Sequence, residues 1–200
     1  GVFVYRSFDD LRRIRRRAAA SESAAVVGGG LLGLETALAL KDLGLRVHVI
    51  ERGSGLLARQ LNPQASLVLQ LSIERLGVVV HNARKVSSVE ERGDSHALNF
   101  TDGSRLLADF IVLATGVRPR DELARACGLE VGRNGGVKID DHLRTSDPSV
   151  FAIGECAMHN ETRFGLVLPG YQMADALADN LRGKRRRFVG ADQSAILKAR

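Results

Sequence analysis

The chain of 200 residues has no tryptophan, two tyrosines and seven phenylalanines, so the stacking platforms on which single-stranded nucleic acid binds are scarce. Cysteine is as sparse. Cys127 and Cys156 stand far apart, with no C-x-x-C pair and no neighbouring histidine cluster. That spacing leaves no dithiol redox centre and no metal site to expect, and both thiols are predicted to be buried as small apolar residues. No apolar run approaches the ~20 residues of a membrane span, and no stretch has the build of a signal peptide. A soluble, cytoplasmic protein that engages neither membrane nor nucleic acid is the expectation.

What is present is ordinary for a globular chain, 44% hydrophobic and 26% charged, which is enough to form a core. The net charge of +6 gathers in two runs, RRIRRR at 12–17 and RGKRRR at 182–187. Such runs can mark a nucleic-acid patch. Here the arginines of the first flank Leu11 and Ile14 at helical spacing, so it reads as the solvated face of a helix around a thin apolar stripe. The chain opens on GVFVY, a strand-like run without an initial methionine, and is expected to be part of something longer.

A helix over 7–20 precedes AVVGGGLLGLE (25–35), where an apolar strand at 24–27 runs into three glycines and then a helix over 31–43. Leu32, Thr36, Leu40 and Leu43 share one side of that helix, and Gly44 ends it. A strand at 46–50 finishes at Glu51 and completes a βαβ unit. Asn62 and Pro63 cap a second helix in which Leu69, Ile73 and Leu76 repeat until Gly77. The run at 78–81 is the continuous apolar type found within parallel sheets. Short runs at 86–91, 96–100 and 105–108, separated by Gly93-Asp94 and Asp102-Gly103, then predict an antiparallel meander. FIVLA (110–114) returns to the parallel type and leads into TGVRPR. Beyond it the pattern predicts a short helix at 121–127, strands at 137–139 and 150–153, a helix at 171–181 and a basic tail. The fold class is α/β: a Rossmann-like parallel sheet with helices on both faces and an antiparallel meander, followed by part of a second α/β domain.

Gly28, Gly30 and Gly33 match G-x-G-x-x-G. In that pattern the first glycine permits a tight turn, the second lets backbone approach a pyrophosphate, and the third allows helix and strand to pack closely. Leu31 and Leu32 open the helix, whose N-terminal N–H groups and positive dipole end suit an anion. Glu51 ends the next strand, where an acid accepts from both ribose hydroxyls and repels a 2′-phosphate, so NADH is expected over NADPH. Arg52 beside it is either a solvated charge or a contact to adenine or phosphate.

With these residues in place, the chain resembles the pyridine nucleotide-dependent flavoprotein reductases, in which an NADH domain is inserted into an FAD domain. GGGLLGLE resembles the family's NADH fingerprint, and the resemblance implies that Glu35 reaches the nicotinamide carboxamide. ATGVRP, containing Gly116, resembles the segment where the chain returns to the FAD domain. TSDPSVFAIGE at 145–155 resembles the segment whose last acid holds the flavin ribityl chain, which nominates Gly154 and Glu155. The usual ending there is Gly-Asp, and the departure to Gly-Glu narrows the subfamily. The runs at 2–11, 154–174 and 189–198 are similar to the nitrite-reducing branch, in which electrons pass from NADH to FAD and through iron–sulfur centres to sirohaem. The iron–sulfur and sirohaem cysteines, a first flavin fingerprint, and further redox domains or a small subunit are expected outside these residues.

The implied organisation is a lead-in strand and basic helix of the FAD domain at 1–20, the NAD(H)-binding domain at 21–115, the C-terminal part of the FAD domain at 116–188 and the start of a following region at 189–200. Because the cofactors carry the chemistry, no acid, base or nucleophile is nominated, and His48, His81, His96, His142 and His159 are read as structural. Two other readings stay open: a reductase for a rubredoxin or ferredoxin carrier, and a non-catalytic nucleotide-binding module that keeps the fold as a scaffold.

Overall fold

The computed structural model describes residues 1–192, 194, 196 and 197. In chain order it forms β1 (Val2–Val4), α1 (Phe8–Ala18), β2 (Ser23–Val27), α2 (Leu31–Asp42), β3 (Arg46–Ile50), α3 (Pro63–Arg75) and β4 (Val78–His81). Then follow β5 (Val86–Arg92), β6 (Ser95–Phe100), β7 (Arg105–Ala108) and β8 (Phe110–Leu113). After these come α4 (Glu122–Ala126), β9 (Val137–Ile139), β10 (Ala157–His159), β11 (Thr162–Arg163) and α5 (Val167–Leu181). Contacts divide the chain into a unit built on Gly1–Gly116 and a second on Val117–Ile196.

In the first unit five strands align in the order β1-β8-β2-β3-β4, with every neighbouring pair parallel. Side chains alternate across this sheet, and both faces are buried. Ala24, Val26, Val47, Val49, Phe110 and Val112 turn to one face and pack with Ile14 and Ala18 of α1, Leu34, Ala37, Leu38 and Leu40 of α2, and Ile73 of α3. Ala25, Ile50 and Ile111 turn to the other, where they meet Leu98, Phe100 and Ala108 of the antiparallel β5-β6-β7 sheet. The α/β class holds, but the expected helices on both faces do not form. The crossover from β4 to β8 is made of strands, and their apolar side covers the second face.

β1 forms the edge of this sheet. It pairs in parallel with β8, Val2 opposite Ile111 and Val4 opposite Leu113, and the Ile111 N–H donates to the Gly1 carbonyl at 2.8 Å. The edge of β8 would otherwise leave unpaired N–H and C=O groups, and Phe3 adds an edge-on contact to Phe110 with ring centroids 5.9 Å apart. α1 starts in a capping box between Ser7 and Asp10. Its arginines are not all solvated, since Arg17 donates to the main-chain carbonyls of Asp94 and Asp109.

The second unit has a three-stranded sheet, β11-β10-β9, and a core of Ile139, Leu143, Ala157, Phe164, Met173, Ala176 and Phe188. The strand predicted at 150–153 is reduced to one bridge between Arg144 and Phe151. Strand pairing instead occurs at β10 and β11, whose link puts Asn160 and Glu161 at φ of 46° and 59°, a tight turn with no glycine to announce it. α5 begins earlier than the sequence predicts because Pro169 falls in its first turn, where no intrahelical N–H is needed. Neither cysteine is buried: Cys127 follows the surface helix α4 and is exposed, and Cys156 is half-buried. Of the expected region 189–200, positions 193, 195 and 198–200 lie outside the described residues.

Candidate dinucleotide site

The glycine loop joins β2 to α2, and its glycines answer to different demands. Gly28 has φ of +120° and donates to the Ile50 carbonyl at 2.8 Å, and a Cβ there would sit 2.3 Å from the Ala114 carbonyl oxygen. A Cβ on Gly33 would come within 1.9 Å of the Gly28 carbonyl oxygen, so helix and loop could not approach as they do. Gly29, which the three-glycine pattern does not single out, is confined less tightly, by side-chain atoms of Leu56 at 2.7 Å and of Glu51 at 3.1 Å.

Gly30 differs. It is the N-cap of α2, with φ −83° and ψ −179°, an extended conformation open to any residue, and nothing lies within 4 Å of where its Cβ would be. No side chain caps the helix, and Leu34 makes the first helical bond to the Gly30 carbonyl at 3.0 Å. The fold therefore makes no demand for glycine at this position. A bare N-cap leaves the first-turn N–H groups of Leu31, Leu32 and Gly33 approachable by an anion, with the helix dipole behind them.

Glu51 stands half-buried beside this loop and is held at both carboxylate oxygens. One accepts from the Gly29 N–H at 2.8 Å and the other from the Gly53 N–H at 2.6 Å. Each oxygen keeps lone-pair capacity for a further donor such as a hydroxyl. The Glu51 main chain is fixed as well, its N–H to His81 at 2.9 Å and its carbonyl to Arg84 at 2.9 Å. Arg52 is exposed next to it. Gly53 and Leu57, the latter buried at φ 50° with its N–H on the Gly29 carbonyl at 3.0 Å, complete the loop without any sequence signal beyond the glycine itself.

Glu35 lies one turn into α2 and borders a groove of about 400 Å³ lined also by Tyr5, Leu11, Leu32 and Leu40. Gly116, exposed at φ +96°, ends the first unit. Gly154 and Glu155 belong to the second, in a short 3-10 turn where Gly154 takes φ +76° and points its N–H at the Met173 sulfur, 3.1 Å away; the Glu155 residue is exposed. The structure thus gathers Gly28, Gly30, Leu31, Leu32, Gly33, Glu51 and Arg52 in one place. It also pairs His48 with His81 and buries His159 against Asp141 at 2.8 Å, associations that strands distant in sequence conceal.

Residues 1–174 match the pyridine nucleotide-disulphide oxidoreductase family. The chain belongs to that family. It is 49% identical over 198 residues to the large subunit of the NADH nitrite reductase of Escherichia coli K12, covering 98% of this chain and 23% of the relative. It is 37% identical over 169 residues to a rubredoxin-NAD(+) reductase of Pseudomonas putida, covering 84% of this chain and 43% of that one. Among solved structures, an NAD-dependent persulfide reductase from A. fulgidus superposes with a TM-score of 0.92 at 29% identity, covering all of this chain and 38% of the other. The chain thus spans about a quarter of the length of the nitrite reductase subunit it matches. Among the described residues no helix is long and apolar enough to cross a membrane, and no group of three or more metal-ligating side chains converges.

Proposed function

We propose that this chain is the NADH-binding and partial FAD-binding portion of a cytoplasmic nitrite reductase, passing electrons from NADH to FAD on their way to further redox domains. The observation that carries the nucleotide reading is Gly30, a glycine that the fold does not require at a helix N-cap facing open space. The pyrophosphate would lie against the first turn of α2, the preset Glu51 carboxylate would accept from the adenosine ribose, and Glu35 would meet the nicotinamide carboxamide. In the second unit Gly154 and Glu155 would hold the flavin ribityl chain. Hydride transfer between nicotinamide and flavin is the chemistry that the bound cofactors supply, and the protein's part is to bind and orient them. The nitrite reading rests on the 49% identity to the E. coli subunit, and the rubredoxin-type reading has the weaker support of 37%.

Calorimetric titration of the chain with NADH and with NADPH tests the nucleotide site. NADH should bind the more tightly. Gly30→Ser, which offers a better N-cap but fills the space, should weaken NADH by about tenfold or more while leaving the chain folded. Equal affinity of the parent and Gly30→Ser would overturn the reading.

A further inference from the structure

Three clusters of titratable side chains lie beside or beyond the site: His96 and Arg17, which meet at the Asp109 carbonyl, His159 with Asp141 and Arg187, and His48 with His81. The first two tie the framework together. The third reaches the main chain that carries Glu51. His48 lies on β3 and His81 ends β4, and the register pairs Ile50 with His81 and His48 with Val79, so both imidazoles leave the same face of the sheet. The His48 Nδ1 stands 3.0 Å from the His81 Nε2, with ring planes 30° apart and both residues half-buried. At that distance one ring can donate to the other, the donor being set by the tautomer. From His81 onward, three main-chain bonds cross to the Glu51 segment: Glu51 N–H to the His81 carbonyl at 2.9 Å, Arg84 N–H to the Glu51 carbonyl at 2.9 Å, and Ala83 N–H to the Gly53 carbonyl at 2.8 Å. Gly53 in turn holds one of the Glu51 carboxylate oxygens.

We propose that the His48–His81 pair positions Glu51 for the nucleotide, and that adding protons to the pair loosens that hold. The inference rests on the nucleotide reading above. Burial holds both imidazoles below the ordinary 6.5, helped at His48 by the neighbouring His81 and by Arg46, and at His81 by Arg84. The other charges around the pair are already engaged. Arg46 reaches Glu22 at 3.8 Å, Arg84 pairs with Asp102 and lies over the Phe100 ring, and Glu74 of α3 bonds to Gln70, which holds Asn82. Lys41 of α2 lies at Gly77, the opposite end of β4. A first added proton can be shared, an imidazolium donating to an imidazole. The second sets two cations face to face, and protons enter such a pair in two coupled steps. The sign follows from linkage. The folded pair takes up protons less readily than the unfolded chain, so this corner is at full strength above 6.5 and weakens as the pH falls below it.

The test follows imidazole and main-chain amide resonances of the isotopically labelled 200-residue chain from about pH 7.5 to 5 and, in parallel, titrates it with NAD⁺. The Glu51, Gly53 and Ala83 amides should move with the imidazoles, and in His81→Gln and His48→Gln they should stay flat. NAD⁺ affinity should fall roughly three- to tenfold between about pH 7.5 and 5.5 in the parent, and less than about twofold in either variant. Amides at Glu51 and Gly53 that ignore the imidazole titration, or a common pH profile in all three chains, would overturn the proposal. Absence of NAD⁺ binding at the higher pH would instead overturn the nucleotide reading, with the amides still deciding whether the pair governs Glu51.

Discussion

The two units are held together by different means. The first buries both faces of a parallel sheet, and Ala24, Val26, Val49, Phe110 and Val112 are wholly inaccessible to solvent. The second has a core of seven buried apolar residues and supplements it with carboxylates. Asp121 accepts from Arg125 and from the Gly136 N–H, Asp141 joins His159 to Arg187, and Asp179 meets Lys184 and Arg186. Apolar burial is indifferent to pH and to salt at the surface, whereas charged contacts are not. The first unit should therefore respond mainly to changes of shape and the second mainly to changes of charge.

The largest effect is expected from shape in the first unit. Gly33→Ala places a methyl group where the Gly28 carbonyl oxygen would be 1.9 Å away, so the α2 helix must retreat from the loop. A loss of about 3 kcal/mol in urea unfolding is expected, the upper part of the range for overpacking. Gly30→Ser, three residues earlier, should change stability by no more than ~0.5 kcal/mol, since the space is open and serine caps a helix well. A Gly33→Ala chain as stable as its parent would show that the loop has slack that the geometry denies.

The next effect is acid loosening of the second unit. Hydrogen bonds from Arg125 and Gly136 hold the Asp121 carboxyl below the usual range, Arg187 and His159 do so for Asp141, and Lys184 and Arg186 for Asp179. A depressed carboxylate contributes stability that is complete above its ordinary value near 3.8 and is lost as the pH falls through the lowered one. In the first unit Asp10 and Glu90 are held down as well, by Ser7 and by Arg92 with Asn99, but they lie on α1 and β5; beside the parallel sheet stands Asp109, which burial pushes up but which hydrogen bonds from Glu22 and Ser23 pull down by more. Amide exchange measured below pH 4 should open residues 137–164 before the β2, β3 and β8 strands. Simultaneous opening would remove the contrast between the units.

The same contrast governs how much could be read beforehand. Strands β2, β3, β4 and β8 and helices α2 and α3 announce themselves through glycine, Asn62-Pro63 and continuous apolar runs, because a sheet buried on both faces admits little else. The glycine loop and Glu51 were legible for the same reason. What covers the sheet was not, since alternation in β5–β7 indicates a half-buried meander without naming the surface that it covers. The second unit was less legible. Its β10 and β11 pair across Asn160-Glu161 with no turn glycine, and its carboxylate contacts join Asp141 to Arg187 across a separation that spacing does not reveal. The His48–His81 pair was hidden in the same way, because only the register of β3 on β4 brings the rings together.

The smallest and most local effect is expected from the charge with which that basic tail docks. The run at 182–187 looks like solvated charge in the sequence, yet Arg187 pairs with Asp141, the next N–H, of Phe188, donates to the Asp141 carbonyl at 2.7 Å, and the Phe188 ring lies edge-on to His159 and Phe164. Arg187→Gln removes the charge and leaves those ring contacts in place. It should lower the melting temperature slightly, with the loss largest in low salt, because screening already weakens the exposed part of this pair in the parent. Phe188→Ala removes the apolar anchor and should cost more, at every salt concentration. If Arg187→Gln proved the more damaging of the two, and equally so in high salt, the tail would be held by charge rather than by the phenylalanine, and the second unit would depend on ion pairs more deeply than its core suggests.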